Sequence, residues 1–184
     1  MTNQKTKTLV IAALMAAFTT VATMLIRFPT PTFGYIHLGD GLVLLCGVLL
    51  GPGVGAVAAG IGSMLADLFS GYMTWVPGTL LIKAATAFVG GWMYHRVLRS
   101  KFRPSLRAVL AGVPAELLMV FGYFLYEIGL TVVSGSGVAA AAAVSVTGVP
   151  FNLVQGVAGV TVAIVLLPVL SHTGSEMNRR IVKE

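Results

Sequence analysis

The sequence is poor in charged residues and in cysteine. Of its 184 residues only 10% are charged, while 57% are hydrophobic; a soluble domain typically carries about 25% charged residues. A soluble chain of this composition would expose more apolar surface than water tolerates, so we expect lipid to be its solvent. The single cysteine, Cys46, lies inside an apolar run and cannot form an intrachain disulfide.

Motifs for catalysis and for nucleotide binding are missing as well. The sequence contains no Gly-x-x-x-x-Gly-Lys-Ser/Thr loop, no His-Glu-x-x-His and no Gly-x-Ser-x-Gly. Its three histidines are dispersed rather than spaced as metal ligands. We therefore predict that the chain is not an enzyme, does not hydrolyse ATP itself, and holds no cofactor or metal.

Six long or moderately long apolar stretches dominate what remains. A membrane span needs about 20 residues at 1.5 Å each, and helices are expected because no alternating barrel pattern is present. We predict an all-α integral membrane protein with one domain, residues 1–184, and six transmembrane helices. The predicted spans are about 8–28, 38–50, 54–70, 76–95, 106–130 and 144–171, of which the second is short.

Basic residues are concentrated in three segments that indicate the orientation of the chain. They lie at residues 5–7, 96–107 and 179–183, whereas the three loops between these segments contain neither Lys nor Arg. With six spans all three basic segments fall on one side. Because cytoplasmic loops carry the excess of Lys and Arg, both termini are predicted to be cytoplasmic.

Polar and aromatic residues gather at the opposite, outer end of the predicted helices. Charged groups inside a span are costly and by default mark function, and converging donors, acceptors and aromatic rings are typical of a small-molecule pocket. Glu116, lower on the fifth stretch, departs from this pattern. The predicted substrate-binding residues are Tyr35, His37, Asp40, Asp67, Tyr72, Trp75, Lys83, Tyr123, Glu127, Asn152 and Gln155.

Structural roles for the same residues stay open at this point. Lys83 could form a structural ion pair with Glu127 or Asp67. Asp40 and Asp67 could cap helix ends, and Trp75 could anchor the chain at the membrane interface. The polar amides of the last stretch could join helices through hydrogen bonds.

The first apolar stretch carries small residues at two pairs of positions four apart. Such residues form a smooth strip that lets another helix approach closely, either within this chain or from a partner. The strip consists of Ala12, Ala13, Ala16 and Ala17.

An ordered set of short segments runs along nearly the whole chain. The segments are Ala13-x-x-x-Ala17, Tyr35-Ile-His-Leu-Gly-Asp-Gly, Gly60 through Tyr72, Trp75 through Lys83, Gly122-Tyr-Phe-Leu-Tyr-Glu127 and Pro150-Phe-Asn-Leu-Val-Gln155. Together they resemble the S components of energy-coupling factor (ECF) vitamin transporters, in particular the riboflavin-transporter-like group.

This resemblance implies a six-helix protein of the bacterial plasma membrane that captures a vitamin or precursor from outside. It implies as partners a membrane T component, which docks on the Ala-x-x-x-Ala strip, and two cytoplasmic ATPases; no nucleic-acid partner is expected. Members resembling this chain bind pyridoxine-like or hydroxymethylpyrimidine-like ligands. The modest aromatic content, 9%, makes riboflavin less expected.

A self-sufficient, ion-coupled secondary carrier of a small metabolite is the main alternative. Lys83, Asp67 and Glu127 would then form a proton or ion relay. Against it, the two halves show no inverted repeat, and no acidic chain crosses the inner half. A membrane enzyme or an assembly factor is a weaker third possibility.

Overall fold

A computed structural model describes residues 2–99 and 102–181. Two of the predicted basic positions, Lys101 and Lys183, lie outside the described residues. The elements in chain order are α1 (Thr2–Leu25), β1 (Arg27–Pro29), β2 (Tyr35–His37), α2 (Asp40–Leu50), α3 (Pro52–Phe69), α4 (Val76–Trp92), α5 (Pro104–Val133), α6 (Val138–Ser145) and α7 (Val149–Ile181).

Over this described part of the chain, five helical stretches are long and apolar enough to cross a membrane, and α2 is a shorter apolar helix. One of the five is α6 joined to α7 through a single 3-10 turn, and another is α4 extended by a π-helical turn. The predicted all-α membrane fold with six helices is confirmed. The five long stretches are Gln4–Leu25, Pro52–Phe69, Val76–Val97, Pro104–Val133 and Val138–Leu170.

Most of the segment between the fifth and sixth predicted spans, residues 131–143, is helical. Helix α5 continues to Val133, and α6 begins at Val138. The run of alanines at 139–143 favours this helix, since alanine has the highest helix propensity.

A β-hairpin takes the place of the predicted end of the first span. Helix α1 ends at Leu25, and β1 then pairs antiparallel with β2, with Arg27 opposite His37 and Pro29 opposite Tyr35. Such short strands leave no trace in a hydropathy pattern. The hairpin carries two of the predicted site residues, Tyr35 and His37.

The short helix α2 lies at the centre of the bundle. Its 11 residues extend about 16 Å, roughly half of the hydrocarbon thickness. The hairpin precedes its outer end, where His37 and Asp40 are buried. Because α2 is short, the hairpin that precedes it is non-helical backbone within the bundle. Such backbone is tolerated in a membrane where protein surrounds it.

Small residues let α2 and its neighbours pack closely. A Cβ on Gly47 would lie 2.1 Å from the carbonyl oxygen of Ala87 in α4, so only glycine fits there. Gly51 has a φ of 81°, a left-handed conformation that glycine adopts without strain, and it turns the chain directly into α3. Val43 and Cys46 are completely buried between these helices.

Candidate functional site

A small, partly open cavity lies where the hairpin meets the outer ends of the helices. Its volume is about 20 Å³, room for about one water molecule. Helix α3 contributes its last turns, α4 its first turns and α5 its last turns, because alternate helices run in opposite directions. The lining residues are Thr30, Gly34, Tyr35, His37, Asp67, Trp75, Thr79, Tyr123, Glu127 and Asn152.

Tyr35 connects the hairpin to α3. Its hydroxyl donates a hydrogen bond of 2.5 Å to Oδ1 of Asp67, and its ring packs against Tyr72 with centroids 4.6 Å apart. Burial, reinforced by the negative charge of Asp67, raises the pKa of Tyr35 well above its ordinary value. The hydroxyl therefore stays protonated and remains a donor.

Trp75 and Glu127 line both this cavity and a larger outer one. The outer cavity has a volume of 460 Å³ and is lined by both residues, together with the hairpin and the ends of α5 and α6. The Trp75 ring lies 6.0 Å from that of Tyr123 and 5.9 Å from that of Tyr126. Thr32 of the hairpin donates to Oε1 of Glu127 at 3.0 Å.

Beneath the cavity, a buried polar network joins α2, α4, α7 and the hairpin. Lys83 Nζ lies 2.5 Å from Oδ1 of Asp40, and Gln155 Nε2 donates to Oδ2 of Asp40 at 2.7 Å. The other end of the Gln155 amide accepts the backbone N–H of His37 at 2.9 Å. Asp40 is therefore satisfied on both oxygens, as a buried carboxylate requires.

His37 is held as a neutral imidazole. Its Nδ1 accepts the backbone N–H of Gly39 at 3.0 Å, so the proton resides on Nε2. Burial, together with the positive charge of Lys83, lowers the pKa of His37 to about 3, although Asp40 acts in the opposite direction.

The structure divides the predicted site residues into two layers. Tyr35, His37, Asp67, Trp75, Tyr123, Glu127 and Asn152 line the cavity. Asp40, Lys83 and Gln155 form the network beneath it, and Tyr72 lies behind Tyr35.

The ion pair of Lys83 also differs from the expected partners. The structure pairs it with Asp40 rather than with Glu127 or Asp67. The shortness of α2 is the reason, since it brings Asp40 down to the depth of Lys83, a depth that counting residues from a full-length span does not reveal.

Several lining residues escaped prediction. Thr30, Gly34 and Thr79 line the cavity, and Thr79 shares a hydrogen bond of 3.1 Å with Tyr123. Thr79 and Lys83 are four residues apart in α4 and share one helical face, so this spacing was an available signal. The hairpin residues have no comparable periodicity.

The four alanines of the α1 strip differ in their burial. Ala12 and Ala16 are half-buried and pack against the core, and Thr20 donates to the carbonyl of Gly62 in α3 at 2.8 Å. Ala13 and Ala17 are exposed. All four alanines line a groove of 990 Å³ between α1 and α3.

These features together define the class of the protein. The bundle has six helices, a polar and aromatic site at one end, and an open apolar groove beside its first helix. It is a small-molecule-binding membrane component rather than a channel, because the polar residues occupy one half of the bundle and apolar residues close the other.

Comparison with known proteins identifies the family. The chain belongs to the family of ECF-type riboflavin transporter S components, whose family model matches residues 3–172. A solved S component of a bacterial ECF transporter has the same fold, with a TM-score of 0.65, 20% identity and coverage of 92% of this chain and 98% of that chain.

Two relatives match at the level of sequence. The thiamine precursor transporter HmpT of Lactococcus lactis subsp. cremoris (strain MG1363) is 29% identical over 95% of this chain and 93% of its own length. A Pyrococcus woesei protein from a "gap 3'region", described as uncharacterized, is 42% identical over 56% of this chain and 67% of its own length.

The chain is therefore a substrate-binding S component of an ECF transporter and a multi-pass protein of the plasma membrane. The family is a transporter component, in keeping with the predicted absence of an enzymatic role. The findings do not favour the alternative of a self-sufficient secondary carrier.

Proposed function

We propose that this chain captures a small heteroaromatic vitamin precursor, hydroxymethylpyrimidine-like or pyridoxine-like, for ATP-driven uptake. The observation that carries the proposal is the polar and aromatic cavity at the outer end of the bundle. The relative described as a thiamine precursor transporter supports the pyrimidine class. Riboflavin is less favoured, because the aromatic content of the chain, 9%, is modest for a flavin site.

Trp75 is the residue that has to move when a ligand binds. The inner cavity has room for about one water molecule, whereas the outer cavity falls within the usual range of ligand pockets, about 300–1,000 Å³. A ring placed between Trp75 and Tyr123 would stack on aromatic faces. The amide of Asn152 and Nε2–H of His37 would then meet its polar edge.

A ligand screen on the purified protein tests this assignment. Hydroxymethylpyrimidine, pyridoxine, thiamine and riboflavin would each be added during thermal unfolding in detergent. A ligand at 100 times its Kd should stabilise the folded protein by about 2.7 kcal/mol. Stabilisation by riboflavin alone would overturn the small-ring assignment.

Asn152→Ala probes the cavity directly. Loss of a buried polar partner costs about 1–3 kcal/mol, so the Kd of the bound precursor should rise roughly 5- to 150-fold, while insertion into the membrane is unchanged. Thr161→Ala, an exposed position on the same helix, serves as the matched control and should bind like the wild type. Equal affinities in the two variants would place the site elsewhere.

We further propose that a membrane T component docks in the groove between α1 and α3 and that two cytoplasmic ATPases supply the energy. The groove is almost entirely apolar, with Leu9, Val54, Val57 and Ile61 among its walls. Exposed small residues on α1 would let a partner helix approach closely. Membership of the ECF family supports this choice of partner.

A further inference from the structure

The inner cavity and the outer cavity both have acidic walls. Two carboxylates line the inner cavity, Asp67 and Glu127, and Glu127 also lines the outer one. Among the described residues, no Lys or Arg lines either space. The described walls of both cavities are therefore acidic and aromatic and include no basic side chain.

In each of these two carboxyl groups, one oxygen accepts a hydrogen bond from a hydroxyl group of the hairpin and the other does not. Oδ1 of Asp67 accepts the Tyr35 hydroxyl, and Oε1 of Glu127 accepts the Thr32 hydroxyl. Oδ2 of Asp67 and Oε2 of Glu127 are buried and meet no donor at hydrogen-bond geometry within the described part of the chain, although the side chain of Thr79 interacts with the Asp67 carboxyl group. Because buried polar atoms are almost always paired, these two oxygens point to donors supplied by a ligand.

Two basic groups lie near the cavity without lining it. Arg27 is exposed on the hairpin, with its guanidinium 5.8 Å from the centre of the Tyr35 ring, and the second base, Lys83, is already paired. Lys83 is the only buried Lys or Arg among the described residues, it is completely buried, and its ammonium is paired with Asp40. Its Nζ also lies 5.1 Å from the centre of the Tyr123 ring, a cation–π contact that holds it below the cavity.

The buried interior of the bundle also contains more acidic than basic side chains. Among the residues whose burial is described, four acidic side chains are buried, namely Asp40, Asp67, Glu116 and Glu127, against one buried base, Lys83. Burying carboxylates without partners is expensive. A positively charged ligand would offset this cost, whereas an anionic ligand would increase it.

We propose that the site selects a weakly basic ring, one that offers a protonated ring nitrogen or amino hydrogens to Oε2 of Glu127 and Oδ2 of Asp67, and that it rejects phosphate esters and carboxylates. This inference rests on the proposed function and narrows its ligand class. The bound ring takes its proton from water, and each carboxylate keeps the hydroxyl donor it already has. Trp75 and Tyr123 would stack on the cationic ring, as aromatic faces favour.

Matched ligand pairs test the proposal on the unmodified protein. One pair is hydroxymethylpyrimidine and its analogue with a carbonyl oxygen in place of the amino group; the other is pyridoxine and its analogue with C–H in place of the ring nitrogen. The basic member of the pair that binds should bind roughly 10- to 100-fold more tightly than its neutral analogue, as charge-assisted hydrogen bonds predict. The phosphate ester of hydroxymethylpyrimidine should show no measurable binding.

Variants then assign the preference to particular oxygens. Glu127→Gln and Asp67→Asn should each reduce the preference for the basic ligand, whereas Glu116→Gln should retain it, because Glu116 is equally buried but lines neither cavity. Equal binding of basic and neutral analogues, binding of the phosphate ester, or an unchanged preference in both cavity variants would overturn the inference while leaving precursor capture intact. Binding of no compound in the panel would instead overturn the proposed function and the inference with it.

Discussion

At the scale of single residues, the neutral state of His37 has a consequence for stability at mildly acidic pH. The unfolded chain binds a proton at His37 near pH 6.5, whereas the folded chain does so only near pH 3. Between these values the unfolded state binds more protons, so stability rises with pH and falls as pH is lowered.

Lowering the pH from 7.5 to 5.5 should cost about 1.4 kcal/mol through His37 alone. Thermal unfolding in detergent across this range would measure the change. In His37→Gln, which cannot titrate, the same pH step should reduce stability by correspondingly less. An identical pH dependence in the two proteins would show that His37 is accessible to protons in the folded state.

The ion pair of Lys83 and Asp40 makes a second prediction at this scale. Lys83→Met leaves the Asp40 carboxylate buried without its countercharge, which should cost about 3–5 kcal/mol. Adding Asp40→Asn removes the stranded charge and should recover much of that loss. Unfolding temperatures of the two single variants and the double variant measure the coupling.

Additive losses in that set would mean that the two side chains act independently. This design also separates stability from binding, because the pair lies beneath the cavity rather than in its wall. A Lys83 variant that loses binding only through unfolding should regain binding in the double variant.

At the scale of elements, the two faces of α1 have different tasks. All four alanines line the groove, but Ala12 and Ala16 also pack against the core, whereas Ala13 and Ala17 are exposed. Ala13→Trp and Ala17→Trp should block assembly with the T component and ATPases, and abolish uptake, without changing ligand affinity. Co-purification with the ATPase module, measured beside ligand binding, checks both halves of this expectation.

Leu14→Trp is the control for bulk on the same helix. Leu14 is exposed but does not line the groove, so this variant should assemble normally. If the two alanine variants lose ligand binding and still co-purify with the module, the strip serves internal packing instead. Ala16→Trp, by contrast, should unfold the protein, because its side chain faces α3 and the core.

The hairpin and α2 act as one element in building the site. The hairpin supplies Tyr35 and His37, while the short helix places Asp40 below them. Gln155 fastens both parts to α7 through one amide group. The position of the cavity therefore depends on the register of α2 against α4 and α7.

At the scale of the whole molecule, charge is segregated along the membrane normal. The basic segments all belong to the end that holds the termini, and the buried acids belong to the cavity half or lie just beneath it. The positive-inside rule predicts that the basic end lies in the cytoplasm and the cavity on the outer side.

Cysteine labelling in intact cells tests this orientation. In a background with Cys46→Ala, a membrane-impermeant maleimide should label Phe33→Cys, at the exposed hairpin tip, and Ser136→Cys, beyond α5. Ser100→Cys, in the basic segment after α4, should react only after the membrane is opened. Labelling of Ser100→Cys from outside would invert the topology and place the cavity on the cytoplasmic side.

Much of this architecture is already readable in the order of residues along the chain. Apolar stretches must become helices because lipid offers the backbone no hydrogen bonds, and the three basic segments orient them. The same constraint made Asp67, Glu127 and Asn152 conspicuous, since polar groups within spans are rare and costly.

Tertiary structure decided which of the polar residues line the cavity and which form the network beneath it. Packing between segments far apart in sequence determines the hairpin, the end of α1 at Leu25 and the depth of α2. A hydropathy pattern contains no information about such packing. Lys83 therefore pairs with Asp40, 43 residues away. Asp67 and Glu127, which line the cavity, each keep an oxygen that none of the described residues pairs by hydrogen-bond geometry. Burial and pairing depend on distances between helices, and those distances are set by contacts such as Gly47 against Ala87, which exist only in the folded bundle.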